Sequence, residues 1–546
     1  MLNGLMMERP LLISDIITYA AEIYPMVDVV SERVEGGRHR TTYGAASRRI
    51  AMLAHALGEA GVRPGDRVAT LAWNGYRHLE LYYAVAGIGA VCHTINPRLF
   101  AEQINFIVRQ AEDRLLFADL TFLPLIEKLR DTLPMDLRVI AMTDRAHMPA
   151  ATGLADLGCY EEMIAGRPAT YAWPLLDERT ACGLCYTSGT TGEPKGALYS
   201  HRSTVLHALG CILGARDSLQ RGNRVLPVIP LFHANAWGLP YSAPLAGAAL
   251  VFPGAKLDGA SLFDVMEQEK VDVSWGVPAV WQGLLAEMAK RGRKPAALKE
   301  ILIGGSAAPT AMIDRFERDF GVNVVHGWGM TEIGPVGTLT QFSVEHNKHG
   351  LEERRAIKRK QGRRNFGVEM KITDNAGTRL PHDGNVVGHL YVRGNTVVSG
   401  YYKNEAASRD AIDAEGWFRT GDIASIDPEG FMAIADRSKD LIKSGGEWIS
   451  SIDLENAVSA CPGITACAVI GVPHPKWDER PLLVAVKKQG MEPTREDILA
   501  FLAARVAKWQ IPDDVVFVAS LPLTATGKIS KKDLREQFHG YRLPTT

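Results

Sequence analysis

The chain lacks any run of about 18 uninterrupted apolar residues, the length needed to carry a helix across a bilayer, so no integral membrane segment is expected. It also lacks net charge: 61 Lys and Arg against 62 Asp and Glu leave -1. Without a global field toward nucleic acid or an anionic surface, no nucleic-acid partner is expected, and any bound anion must be held locally. Cysteine is sparse and odd in number, at 7, in a chain too long to need disulfide staples. Cys182 and Cys185 form a CxxC, but no second CxxC or nearby His pair completes a zinc site, so they read as small buried residues. The opening MLNGLMMERPLLISDI is broken by Glu8, Arg9 and Asp15 and does not follow the order of a secretory signal. The expected location is the cytoplasm. Internal repeats and low-complexity segments are absent.

What is present is an ordinary globular composition over 546 residues, 46% hydrophobic and 23% charged, long enough for two or more domains. Short β-rich runs (68–73, 115–118, 139–142, 225–229, 250–252, 271–275, 301–303 and 322–325) alternate with segments such as 262–268 and 311–320, where apolar residues recur at spacings of three and four. This alternation predicts an α/β fold with largely parallel sheets. From about Met370 the rhythm shortens and turn residues multiply, as for a small β-subdomain. After Phe431 the pattern is that of a compact α+β domain. The polar stretch Asp436 to Asp440 divides the chain into 1–436 and 437–546. The charge run EERRAIKRKQGRR, Glu352 to Arg364, reads as a solvated loop or helix face, or else as a contact for a phosphorylated ligand.

The stretch YTSGTTGEPKG, Tyr186 to Gly196, is rich in glycine and hydroxyl and carries one lysine. Glycine lets backbone N–H groups face inward without a Cβ, hydroxyls add donors, and lysine neutralises charge, a set suited to polyphosphate. It is not the P-loop GxxxxGK[ST], because Pro194 precedes Lys195 and Gly196 follows it. The loop is therefore a phosphate clamp of another kind or simply a flexible turn.

Together with four further stretches in matching order, this loop resembles that of the adenylate-forming (ANL) enzymes, which include acyl-CoA synthetases, firefly luciferase and nonribosomal-peptide adenylation domains. The likeness runs from about Ile13 to about Phe538. It implies that Thr187, Ser188, Gly189, Thr190, Thr191, Gly192 and Lys195 hold ATP phosphates. HGWGMTE implies adenylate contacts from His326, Gly327, Trp328, Gly329, Met330 and Thr331, with Glu332 and Thr191 as catalytic residues and ligands of Mg²⁺, a hard cation that prefers oxygen donors. In WFRTGDIASIDPEGFMAIADRSKD it implies that Asp422 binds the ribose hydroxyls, that Arg437 helps hold the nucleotide and that Lys439 is a hinge. KSGGEWISSIDLE implies that Ser444, Gly445, Gly446 and Trp448 line the route of coenzyme A. In PLTATGKISKKDLR, Lys528 is implied as the catalytic lysine, carried on a small mobile C-terminal domain.

For the acid, PLFHANAWGLP and GGSAAP imply His233, Trp237 and Gly304 at the acyl group, with His233 also close to the chemistry, and Gly305 and Ser306 beside the nucleotide. The resemblance implies an AMP-forming acid–thiol ligase that joins a carboxylate to CoA through an acyl-adenylate. CHTIN and NPRLF make bacterial medium-chain fatty-acid and 3-methylmercaptopropionate CoA ligases the most similar branch. Medium-chain acids are the expected substrates, with 3-methylmercaptopropionate or another short acid as the alternative. A carrier-protein acceptor, a non-catalytic acyl- or nucleotide-binding role and a homodimer are further readings. Arg364 stands where the family pattern has proline, which puts the local loop shape in question.

Overall fold

The computed structural model describes residues 2, 4–187, 193–445, 447–524 and 528–544. Two large sheets and one small sheet organise them. The seven-stranded sheet is parallel through Gly158–Cys159, Arg138–Ala141, Asp113–Ala118, Arg67–Leu71, Val91–Thr94 and Ala181–Tyr186, and ends in the antiparallel strand Gly196–Ser200. Its strands are apolar along nearly their whole length because helices cover both faces. Tyr76–Gly87 is one such helix, and its residues are buried all round.

In the second sheet, six parallel strands run side by side: Asp28–Glu32, Ala249–Phe252, Arg224–Pro227, Val273–Gly276, Glu300–Ile303 and Asn323–Gly329. The last of these changes character along its length. Its first half pairs in parallel with Glu300–Ile303, while Gly327 to Gly329 pair antiparallel with Val336–Leu339. From there the sheet continues as an antiparallel β-subdomain through Gly362–Arg364, Phe431–Arg437, Phe418–Ile426, Gly388–Gly394 and Val368–Thr373. The β-subdomain that the sequence rhythm places after Met370 thus begins earlier and is continuous with the parallel sheet. Pairing between strands distant in the chain leaves no local rhythm to mark it.

The chain leaves this sheet at Arg437 and enters the small sheet at Ile442. The small sheet includes Ile464–His474 and Asp478–Lys487, with Ser451–Ser459 and Arg495–Ala503 packed around its apolar core. Asp436 accepts hydrogen bonds from the Ser451 N–H and hydroxyl at 2.7 and 2.6 Å, and Asp440 pairs with Arg535 at 2.7 Å, so the crossing is tied on both sides. Among the described residues no helix is long and apolar enough to cross a membrane, and all seven cysteines are free and buried.

Two local expectations change. The helix over 311–320 is a short α turn, Thr310–Asp314, followed by a wider π turn, Arg315–Asp319. The basic run is a helix, Leu351–Arg359, and a strand, Gly362–Arg364; most of its charges face solvent as expected, but one, Lys358, turns into the protein. Lys358 is buried against Glu317 and Asn323, Lys360 pairs with Asp427 at 2.6 Å, and Arg363 pairs with Glu429 at 3.0 Å. Arg364 sits within sheet pairing and donates to the Val368 carbonyl at 2.7 Å.

Close backbone approach at the join requires glycine. A Cβ on Gly329 would lie 2.1 Å from the Pro335 carbonyl oxygen, an overlap that no side-chain rotation relieves. Gly329→Ala is expected to cost about 1–3 kcal/mol, read as a lowered Tm in a thermal melt; an unchanged Tm would mean that the join yields.

Candidate active site

The carboxyl end of the joining strand runs into a buried turn, Thr331–Ile333. Tyr199 donates to the Thr331 carbonyl at 2.6 Å, and the Glu332 carbonyl accepts from the Val398 N–H at 2.9 Å, so both neighbouring layers fix the turn. Glu332 is itself buried, and its Oε1 accepts the Tyr401 hydroxyl at 2.8 Å. Burial pushes this carboxyl up from its ordinary value, while Tyr401, Arg437 and Lys195 act against the rise. Lys195 lies 5.0 Å from the centre of the Tyr401 ring, a cation–π distance. Tyr401 thus connects the lysine of the glycine-rich loop to Glu332. The sequence reading missed it, because nothing in GYYKN distinguishes a tyrosine that reaches a carboxylate from one that fills a core.

The glycine-rich loop bridges the antiparallel strands Ala181–Tyr186 and Gly196–Ser200. Its base is pinned where the Thr187 N–H donates to the Lys195 carbonyl at 2.9 Å and the Lys195 N–H donates to Thr187 Oγ1 at 3.2 Å. Ser188, Gly189, Thr190, Thr191 and Gly192 lie outside the described residues, as does Gly446.

Asp422 is buried on Phe418–Ile426, in register with Arg437 on the next strand. Its Oδ1 accepts from Arg437 Nε at 2.9 Å and its Oδ2 from Trp328 Nε1 at 2.9 Å. Burial pushes the carboxyl up, and Arg437, Trp328 and Lys528 oppose the shift. Each carboxylate oxygen has two acceptor positions, so Arg437 and Trp328 leave further acceptor capacity on this carboxylate. His326, on the same strand as Trp328, is buried and pushed down to about 4 by burial against the upward pull of the Lys358 and Arg359 backbone, so it is neutral. Gly327 and Met330 complete the run along this edge.

Lys528 belongs to the C-terminal part of the chain yet reaches this group. A Cβ on Gly305 would lie 3.8 Å from Lys528 Cε, so the aliphatic stem passes over that glycine. Burial and then Arg437 push the ammonium down to about 8, while Asp422 and Glu332 pull it back up. His233 is pushed down to about 4, first by burial and then by Lys528 and Arg98, and is also neutral.

Trp237 stands in an uncommon backbone tract: Ala234, Asn235, Ala236 and Trp237 all have positive φ, between 43° and 56°, a left-handed turn that costs energy for residues with a Cβ. Tertiary bonds hold it. Asn235 Oδ1 accepts from Tyr82, and Tyr82 also donates to the Leu231 carbonyl at 2.6 Å. The turn lays the indole on Gly304 and Gly305; a Cβ on Gly304 would sit 3.0 Å from Trp237 Cη2. Ser306 is exposed beside them.

The structure therefore gathers Lys195, Glu332, Asp422, Arg437, Lys528, His233, Trp237, Gly304, Gly305 and the 326–331 run around one cleft. It does not bring Ser444, Gly445 and Trp448 there. They lie on the hairpin Ile442–Ser444 and Glu447–Ile449 of the small sheet, where the Gly445 N–H donates to the Trp477 carbonyl at 2.8 Å and Trp448 is exposed. Lys439 is exposed between the sheets.

A parallel sheet turning antiparallel above paired buried charges, with a lysine supplied from the small domain, is the arrangement that the resemblance to adenylate-forming enzymes leads one to expect. The chain belongs to the AMP-binding enzyme family: that family's model matches residues 19–402, and the model of the AMP-binding enzyme C-terminal domain matches 453–528. A 3-methylmercaptopropionyl-CoA ligase of Ruegeria pomeroyi is 49% identical over 98% of both chains. A medium-chain-fatty-acid–CoA ligase of Ectopseudomonas oleovorans is 47% identical over 98% of this chain and 97% of its own. Among solved structures, the anthranilate CoA ligase AuaEII in complex with anthranoyl-AMP superposes with a TM-score of 0.85 at 25% identity, covering 97% of this chain and 98% of that one. The protein is an AMP-forming acid–thiol ligase with ATP, a carboxylic acid and CoA as its small-molecule substrates.

The packing of Trp237 on Gly304 makes a separable prediction. Gly304→Ala is expected to displace the indole, shifting tryptophan emission and lowering stability by about 1–3 kcal/mol; unchanged emission and Tm would show that the ring has room to spare.

Proposed function

We propose that this ligase activates a short-chain acid of the 3-methylmercaptopropionate type, in preference to the medium-chain fatty acids that the sequence reading placed first. The similarity to the Ruegeria ligase over nearly the whole chain carries this reading. The cleft agrees with it, because the Trp237 indole closes over Gly304 and leaves a flat apolar wall beside the reacting end. A flat, polarisable wall suits a thioether.

In the proposed mechanism, the substrate carboxylate attacks the α-phosphorus of ATP, the bond to the bridging oxygen breaks and pyrophosphate departs. Negative charge collects on phosphoryl oxygens, and preorganised cations stabilise it without reorganising. Lys528 supplies one such cation, with Lys195 at the base of the glycine-rich loop. Asp422 takes the ribose hydroxyls with its remaining acceptor capacity, held in place by Trp328 and Arg437. Glu332 is the residue that would hold Mg²⁺; a hard carboxylate oxygen in a buried, otherwise anion-binding cleft suits that ion. When bound, Mg²⁺ supplies neutralisation of phosphate charge. In the second step the CoA thiolate attacks the acyl carbonyl and AMP leaves with the bonding pair. We assign the boundary between 1–436 and 437–546 to a hinge at Lys439, which would withdraw Lys528 and present Ser444, Gly445 and Trp448 to the thiol.

The first test is pyrophosphate release with acids from acetate to palmitate and 3-methylmercaptopropionate, with and without CoA. A CoA-dependent maximum at the short thioether acid is expected; a maximum at octanoate restores the medium-chain reading, and release that CoA does not accelerate moves the acceptor to a carrier protein. Lys528→Ala should cost about 10²–10³-fold in this release.

The pH dependence has a definite sign. Lys528 is a cation below about 8 and neutral above it, so kcat/KM for pyrophosphate release should fall above pH 8 along a one-proton limb, because kcat/KM reports the free enzyme. Lys528→Arg should abolish that limb while lowering the rate. A limb that persists in the arginine variant would assign it to another group.

A further inference from the structure

Beside the reacting groups, a cavity opens between the segment that follows Arg224–Pro227 and the start of the helix Pro278–Arg291. Val228, Ile229, Pro230, Phe232, His233, Leu257, Val277, Val280 and Arg98 line it. Apart from the neutral His233, Arg98 is the single polar side chain in this lining. It comes from a different layer, the NPRLF turn after Val91–Thr94, where its backbone N–H donates to Asn96 Oδ1 at 3.0 Å and so fixes the turn that presents it. Arg98 as a whole residue is exposed, yet its guanidinium borders the cavity and burial pushes it down from its ordinary value; among the described residues no carboxylate lies within ion-pair distance of it. Arginines built into the interior are paired, as Arg77 is with Glu35 at 2.7 Å and Glu161 at 2.8 Å and Arg480 with Asp513 at 2.6 Å.

The cavity continues toward the chemistry. Val277, in its wall, is also the nearest neighbour of Gly305, over which Lys528 passes, and His233 feels the charge of both Lys528 and Arg98. Both cations thus act on His233, Arg98 from the lining of the cavity and Lys528 from beside Gly305. They differ in one respect: Lys528 belongs to the small C-terminal part of the chain, whereas Arg98 is fixed to the large domain and keeps its place beside the cavity wherever the small domain stands. An anion entering a channel with apolar walls loses hydration and needs a counter-ion along its path.

We propose that Arg98 is a positioning residue that receives an anionic oxygen of a substrate at the mouth of this cavity, before Lys528 engages the reacting centre. The inference rests on the ligase reading above. The shared ligand chemistry has two sources, the carboxylate of the acid to be activated and a phosphate of CoA. A planar guanidinium donates bidentately to the oxygens of either, which an ammonium does not reproduce.

The experiment measures KM and kcat for acid, ATP and CoA with full-length wild type, Arg98→Gln and Arg98→Lys, and the same constants for acid in pyrophosphate release without CoA. If the carboxylate is the ligand, Arg98→Gln raises KM for the acid about ten- to hundredfold in both assays and leaves KM for CoA and ATP within twofold, with Arg98→Lys recovering part of the loss. If a CoA phosphate is the ligand, only KM for CoA rises. In either case the affected KM becomes less sensitive to salt in Arg98→Gln than in wild type, a change that a purely structural role would not produce. All KM values within twofold, or a fall in kcat alone at unchanged KM, overturns the proposal. An unchanged Tm verifies that the variants fold, and wild-type turnover separates failure of this inference from failure of the ligase reading.

Discussion

The strand Asn323–Gly329 must satisfy two sheets at once, and the active cleft exists because it does. Its first residues take parallel partners from Glu300–Ile303 and its last take antiparallel partners from Val336–Leu339. Every backbone N–H and C=O removed from water needs a partner, so the strand cannot shift in one sheet without losing its bonds in the other. Gly329, pressed against the Pro335 carbonyl, fixes the point of change. Beyond that point the chain has to turn sharply, and the turn delivers Glu332 with little freedom.

Around this fixed end, the cleft is built from charges whose burial would be costly alone and which are tolerable together. Asp422 is divided between Arg437 and Trp328, and Glu332 accepts from Tyr401. Lys528 arrives as a cation that burial has weakened. Both carboxyls are pushed up and the lysine is pushed down, so each group sits closer to neutrality than its free form. Under the proposed function, that state would suit a site whose remaining charge is brought by ATP, with phosphate favouring the ionised lysine and the carboxylates free to take hydroxyls and a divalent cation. Lys528 lies on the part of the chain beyond Arg437, tied through Asp436 to Ser451 and through Asp440 to Arg535. The connection is polar and small, of the kind that opens more readily than an apolar core.

The acyl side follows a different logic. Ala234 to Trp237 hold a left-handed turn against their own sterics, and a buried bond network through Tyr82 and Asn235 sustains it. The result is one indole laid flat on two glycines. Strain of this kind persists only where the surroundings over-determine it, and here it places an apolar wall next to the most highly charged part of the molecule.

Much of this was legible in the sequence. The alternation of short apolar runs with helical spacings specified α/β layers, because the sheet period of two and the helix period of 3.6 leave different marks. The resemblance of five stretches, in order, to those of the adenylate-forming enzymes named Lys195, Glu332, Asp422, Arg437 and Lys528 as one group; residue type alone left a structural use open for each. What the sequence did not contain was the pairing of distant strands that makes the β-subdomain continuous with the parallel sheet, nor the inward turn of Lys358 within the basic run. It was equally silent on Tyr401, on the left-handed turn before Trp237 and on Arg98 at the mouth of a cavity. These depend on contacts between residues tens to hundreds of positions apart, and a side chain's partner at that separation is decided by packing, not by its neighbours in the chain.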